Sequence, residues 1–446
     1  AGLDDDEAAA LAGHWVRTGD FLLHDHAQAT ADFVVGNPPY IRLENVSRAT
    51  MDAYRRSCPT MRGRADIYVG FIERGLELLR PNGCLGFICA DRWMHNQYGA
   101  DLRRLVSESF SVETVIAMHD VDAFDSPVSA YPAIVTLRNR PPSATAVVDA
   151  NRRFGEADTA ELSGWRDRSS LPNIATPAFE ASRIAHWFGG GDLWPAGSPP
   201  QLAVVADLEA RFPPLEDART QTRIGIGVAT GCDAAYITKD AGLVEGERLL
   251  PLLQAGDVAS GGVRWSGSFL VNPWDGRGLV DLEDYPRLKQ HFEAHASRLR
   301  SRHVARKRPA HWYRTIDRVD PALLGKPKIV LPDLKASAHP VLDEGQFYPH
   351  HNLYYVVSET WDLEVLGGLL LSGIANLFVG AYCVKMRGGC YRFQAQYLRR
   401  IRVPAPSSIP PSCATALAQA FAQRDVEAAT AAALQAYGVK ELPRVP

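Results

Sequence analysis

The stretch "DFVVGNPPYIR" at residues 32–42 decides how this chain is read. Phe33-Val34-Val35 has the aromatic and β-branched make-up of a strand. It runs directly into Gly36, Asn37, Pro38, Pro39 and Tyr40. Proline lacks an N–H donor and fixes φ, so two in succession continue neither a sheet ladder nor a helix interior. A stiff polar tetrapeptide therefore stands at the carboxyl end of a core strand, where α/β folds place their sites.

Working outward from it, strands and helices alternate. His14–Arg17 and Phe33–Val35 read as strands, and Ile67–Leu79 as a helix stopped by Arg80-Pro81-Asn82-Gly83. Cys84–Cys89 reads as a strand, Gln97–Phe110 as a helix, and Val112–Met118 and Ala133–Leu137 as two further strands. The alternation predicts a doubly wound α/β sheet over residues 1–140. Residues 141–215, punctuated by Pro, Gly and Ser with a strand-like Ala146–Val148, read as a connecting extension. Residues 216–411, rich in turns, aromatics and Arg, form a second, mixed α+β domain, and the Ala-rich residues 412–446 a helical tail.

The 446 residues are 46% hydrophobic and 22% charged, with net charge −3, an ordinary globular composition. No run reaches the roughly 18 apolar residues of a membrane span. Seven scattered cysteines without a Cys-x-x-Cys pair suit reduced thiols in a cytoplasmic protein and argue against zinc. His350-His351 has no acid or Cys at ligand spacing, so no metal site is expected. The charge is segregated: residues 286–328 hold twelve Lys/Arg against three acids, and residues 385–402 hold six against none. Arg298, Arg300, Arg302, Arg306, Lys307, Arg308, Arg392, Arg399 and Arg400 are therefore candidate contacts to a polyanion. A solvated basic surface reads equally well from charge alone.

The tetrapeptide has a definite chemistry. Asn37 offers a neutral carbonyl acceptor, and the Pro38 carbonyl offers a second whose direction the Pro-Pro unit fixes. Two acceptors so placed match the two N–H bonds of an exocyclic amine and draw its lone pair out of conjugation with the ring. Tyr40 adds a face on which a planar base stacks. A plain Pro-Pro turn is the bland alternative, and the preceding Phe-Val-Val-Gly strand weighs against it.

"FVVGNPPYIR" resembles motif IV of the S-adenosylmethionine-dependent DNA adenine-N6 methyltransferases, and the chain as a whole resembles their TaqI-like gamma class, the Type II and IIG restriction–modification methylases. The resemblance implies a class I methyltransferase sheet, incomplete at its N-terminal side, followed by a target-recognition domain. It makes Asn37, Pro38, Pro39 and Tyr40 the catalytic set. "GDFLL" (19–23) is similar to motif III, which implies that Asp20 and Phe21 hold the cofactor, S-adenosylmethionine. "DIYVGFIERGLELLRPNGCLGFICADRW" (66–93) looks like motifs V and VI, which adds Ile67 and Phe71 to that pocket, with Asn37 at its edge. "AFDSPVSAYPAIVTL" (123–137) resembles motif VIII and implies Phe124, with Tyr131 second, as the aromatic stacking on a flipped base. "GIGVATGCDAAYI" (225–237) and "GGCYRFQAQYLRRIRVP" (388–404) resemble parts of the family's C-terminal domain.

The implied partners are double-stranded DNA and a restriction endonuclease, separate or fused, with no membrane. Asp333 with Glu344 and Gln346 does not make a nuclease core, because Gln stands where such sites want Lys. The family's glycine-rich cofactor loop is not found before Asp20, so the expectation is a piece of a longer enzyme that binds the cofactor weakly alone. Two other readings stay open: methylation of a protein glutamine amide, and a DNA-recognition fragment without activity.

Overall fold

The protein is described by a computed structural model over residues 4–25, 29–42, 45–118, 121, 132–168, 170–184, 189–383 and 390–443. It divides into two units, Ala1–Pro199 and Pro200–Pro446.

One seven-stranded sheet organises the first unit: β1 (Ala31–Gly36), β2 (Leu79–Ala90), β3 (Ser111–Ala117), β4 (Pro132–Arg138), β5 (Thr145–Ala150), β6 (Asn173–Ala175) and β7 (Phe179–Ile184). Their spatial order is β1-β2-β4-β3-β5-β7-β6. β1 and β2 are parallel, with Val34 opposite Leu85 and Gly36 opposite Phe87. β4 lies antiparallel between β2 and β3, and β3 is parallel to β5. The longer helices are α1 (Asp5–Trp15), α2 (Arg48–Ser57), α3 (Tyr68–Glu77), α4 (Ala100–Ser109) and α5 (Glu156–Arg168). α3 lies so close to the sheet that a Cβ on Gly75 would stand 2.6 Å from Leu85 and 3.4 Å from Val34. Only glycine allows that approach.

Four expectations need correction. His14 and Trp15 are the last turn of α1 and not a strand. The cause is a capping box: the Asp4 side chain accepts from Glu7 N (2.8 Å), and Glu7 reaches back to Asp4 N. β2 begins at Leu79 and not at Cys84, and it steps out of register between its Ala31 and Phe33 partners. Asn82 takes a left-handed φ of 65° within that step. Residues 141–215 are not a bare connection, since β5, β6 and β7 extend the sheet and α5 packs Leu162 and Trp165 against it. Pro199-Pro200, read as loop punctuation, opens α6 (Pro199–Arg211), because proline is well accommodated in a first helical turn.

The second unit is mixed α+β. β8 (Arg223–Ile226), β9 (Ile237–Thr238), β10 (Leu249–Leu253), β11 (Phe269–Val271), β12 (Lys328–Pro332), β13 (Leu334–Lys335), β14 (Val341–Asp343), β15 (Tyr348–Pro349), β16 (Leu353–Val357) and β17 (Tyr391–Arg392) form its sheets. Two are four-stranded, β15-β10-β11-β9 and β14-β12-β16-β8, and β13 pairs with β17. Short helices α7 (Pro286–Ala294), α8 (Ala296–Ser301) and α9 (His303–Lys307) carry the basic run. The C-terminal segment is packed in, not trailing. α10 (Leu363–Leu371) and α11 (Gly373–Tyr382) pack with α12 (Pro411–Gln423) and α13 (Val426–Tyr437): Phe421 lies against Gly367, Leu417 against Gly368, and Leu371 clusters with Ala420 and Ala429. Arg424, at φ 60°, breaks the single expected helix into two. Among the described residues no single helix is long and apolar enough to cross a membrane; α10 and α11 pass that test only as a pair bent by 60°, and both are buried.

Candidate active site

The Asn-Pro-Pro-Tyr loop leaves the carboxyl end of β1, beside the carboxyl end of its parallel neighbour β2. At the junction a Cβ on Gly36 would lie 3.1 Å from the Phe87 ring, so the strand ends on a residue without bulk. Asn37 and Pro39 are exposed and Pro38 is buried, which anchors the loop and leaves the Asn37 amide outward. Tyr40 is half-buried; burial, and then the neighbouring Cys89 thiol of β2, pushes its hydroxyl up to about 12. The loop is tied to α3 by Ile67 N donating to Ile41 O (3.2 Å).

α3 also carries the second half of the site. Phe71 stacks on Phe21 with centroids 5.1 Å apart and planes inclined by 19°. Ile67, one turn earlier, is buried. The rings are too close to admit a planar group between them, so a base would stack on an outer face of the pair. Next to Phe21, Asp20 is exposed: its Oδ1 accepts from Leu22 N (3.0 Å) and its Oδ2 from the Tyr54 hydroxyl (2.7 Å). A carboxylate has about four acceptor positions, so capacity for a ligand N–H or O–H remains. Asp20, Phe21, Ile67 and Phe71, distant in sequence, thus converge on α3, which also braces the Asn37–Tyr40 loop. These residues suit an adenosine-bearing cofactor: a flat apolar face beside an acceptor. Phe124 and Tyr131 lie outside the described residues.

Sequence reasoning overlooked Tyr54. It sits 34 positions from Asp20, in a helix whose pattern says only that it is amphipathic, and no local signal marks the contact.

In the second unit the basic residues separate into two groups. Arg302 donates to the carbonyls of Thr230 (2.9 Å), Trp312 (2.9 Å) and Arg314 (2.7 Å). Arg392 is paired with Asp333, and Arg399 with Glu216 and with Ile224 O (3.0 Å). Arg400 lies over the Tyr382 ring (4.5 Å) and pairs with Glu209 (2.8 Å). Lys328 is wholly buried against Asp343 (2.8 Å). These charges hold the unit together and are spent on protein partners. Arg298, Arg300, Arg306, Lys307 and Arg308 are exposed along α8 and α9, with Arg300 set over Trp312 (4.3 Å). His350 and His351 contact each other (Nε2 to Nδ1, 2.9 Å), with Asp233 3.6 Å from His350. Among the described residues no three His, Cys, Asp or Glu side chains are grouped to hold a metal ion.

Comparison with known proteins identifies the family. Residues 8–124, which span the Asp20 turn and the Asn37–Tyr40 loop, match the Eco57I restriction-modification methylase family. The Type II methyltransferase M.PaeR7I of Pseudomonas aeruginosa is 45% identical, over 99% of this chain and 76% of its own length. M.XhoI of Xanthomonas vasicola, also a Type II methyltransferase, is 42% identical over 98% of this chain and 80% of its own. Among solved structures, the Type IIL restriction-modification enzyme MmeI in complex with DNA superposes with a TM-score of 0.57 at 11% identity. That match covers 93% of this chain and 55% of MmeI, and it shows a shared fold through both units. Identity of this degree along nearly the whole sequence places the chain plainly: it belongs to the Type II methyltransferases of restriction–modification systems.

Proposed function

We propose that the protein methylates the N6 amine of an adenine turned out of duplex DNA, at a specific sequence, with S-adenosylmethionine as methyl donor. One observation carries the reading. The exposed Asn37 amide and the rigid Pro38 carbonyl sit at the carboxyl end of the β1–β2 pair, braced by the same helix that stacks Phe71 on Phe21. Asn37 Oδ1 and the Pro38 carbonyl accept the two N–H bonds of the amine, which turns its lone pair out of the ring plane. Tyr40 supports the base by stacking, and its raised hydroxyl keeps it neutral in that role. S-adenosylmethionine, held by Asp20, Phe21, Ile67 and Phe71, supplies an electrophilic methyl group.

Duplex DNA is the partner this reading gives it, and the exposed Arg298–Arg308 ridge supplies cations for its phosphates. The counterpart in the cytoplasm is an endonuclease blocked by the methyl mark. Incubation with duplex DNA and the methyl-labelled cofactor, followed by digestion to nucleosides, tests the reading. Label is expected in N6-methyladenine; label in N4-methylcytosine, or in protein glutamine with none in DNA, overturns it.

A further inference from the structure

We propose that Tyr54 is a positioning residue for the methyl donor: its hydroxyl fixes the Asp20 carboxylate in the orientation that receives the cofactor. The proposal rests on reading Asp20 as a cofactor acceptor.

An exposed aspartate at a turn ordinarily samples several orientations of its carboxylate, and ordering it on binding costs affinity. Here both oxygens are already engaged. Oδ1 accepts from Leu22 N, two residues on, in the side-chain turn typical of aspartate. That bond alone leaves Oδ2 to solvent. Tyr54 donates to Oδ2 at 2.7 Å. Burial, then the bond to Asp20, pushes the Tyr54 hydroxyl up to about 12, so it stays protonated and remains a donor across the working range.

The rest of the turn is gripped from the same side. Ser57 lies three residues after Tyr54, on the same face of α2, and its hydroxyl donates to Leu22 O (2.7 Å). Arg74 on α3 donates to Ser57 Oγ (2.5 Å). Arg74 also follows Phe71 by three residues, so the grip on the turn and the Phe21–Phe71 stack come from one face of α3. α2 follows the Asn-Pro-Pro-Tyr loop directly in the chain, so the segment after the amine-aiming loop reaches back to set the acceptor of the cofactor turn.

A bond that only braces α2 would have the same geometry, and a mutant cycle separates the two roles. The full chain and its Tyr54→Phe, Asp20→Ala and Tyr54→Phe/Asp20→Ala variants are titrated with S-adenosylmethionine by calorimetry, and their thermal midpoints are recorded. Tyr54→Phe keeps the ring and should weaken binding about fivefold, the net worth of one typical hydrogen bond. In the Asp20→Ala background it should add nothing, and turnover at saturating cofactor should be unchanged. Native affinity in Tyr54→Phe, or an equal loss with and without Asp20, overturns the positioning role and leaves the cofactor reading standing. Native affinity in Asp20→Ala overturns the cofactor reading itself, and the role of Tyr54 with it.

Discussion

The loop at the end of β1 and the basic segments of the second unit treat their polar residues in opposite ways. At the loop, β1 is not the core strand expected but the edge of its sheet, with Phe33 74% and Val35 83% exposed, and it ends in an outward Asn37. In the second unit, Arg302, Arg392, Arg399 and Arg400 are turned toward protein acceptors, whereas the α8–α9 ridge keeps its cations outward. The difference teaches that residue type proposes a function and the partner found in the fold decides it. An arginine whose donors are already used by carbonyls and carboxylates has little left for a phosphate.

The sharpest way to break this comparison is at the loop. Asn37→Ala removes one of the two acceptors for the amine and fills no structural gap, because the side chain is exposed. Methylation should fall by at least about two orders of magnitude, the usual cost of losing one preorganised polar group. Specific DNA binding and thermal midpoint should stay near native. Turnover near native in Asn37→Ala would show that outward placement there has no chemical purpose.

The second test sets the two groups of arginines against each other. Arg400 and Glu209 have side chains only 17% and 14% exposed, so Arg400→Ala takes the nearer cation from a largely buried carboxylate and leaves it the Tyr382 hydroxyl (2.7 Å) and the more distant Arg402 (3.8 Å). It should cost about 2–3 kcal/mol of stability and leave the salt dependence of DNA affinity unchanged. Arg298→Gln, Arg306→Gln or Lys307→Gln should do the reverse. Stability should hold, and each change should flatten the slope of log affinity against log salt by about one unit. Equal slopes in both groups would erase the distinction.

How much of this was legible in the sequence follows the same line. β1 and its loop could be read because a strand pattern and a proline pair are local signals, and the site needs both within a few residues. The Asp4–Glu7 capping box is a local signal that the strand reading of His14–Arg17 left out of account, so the end of α1 passed for a strand. β5 showed as the strand-like Ala146–Val148, whereas β6 and β7 were hidden by the Pro, Gly and Ser that flank them. Which arginines find a protein partner could not be read at all. A basic run records charge along the chain, whereas Arg399 reaches Glu216 across 183 positions and Arg400 reaches Glu209 across 191. The Tyr54–Asp20 bond is invisible for the same reason.

The smallest expected effect is a response to acid that divides the two units. His291, His339 and His350, all in the second, are held below the ordinary histidine range, in each case first by burial. Their surroundings add to it: His295 beside His291, Arg424 and Lys335 near His339, and His351 against His350, where Asp233 opposes the shift. Above the ordinary value of 6.5 these rings are neutral in both folded and unfolded chains and contribute no pH dependence. As pH falls through that value, the unfolded chain binds protons that the folded one refuses, so stability is lost. The loss grows until the folded rings themselves titrate, at about 1.4 kcal/mol for each histidine and each unit of depression. Hydrogen exchange at pH 7.5 and pH 5.5 reads this directly: protection in residues 223–357 should drop on acidification while the sheet from β1 to β7 holds. The changes His291→Gln and His339→Gln should each flatten the drop. A fall of equal size in both units would place the acid-sensitive groups elsewhere and remove these three histidines as its cause.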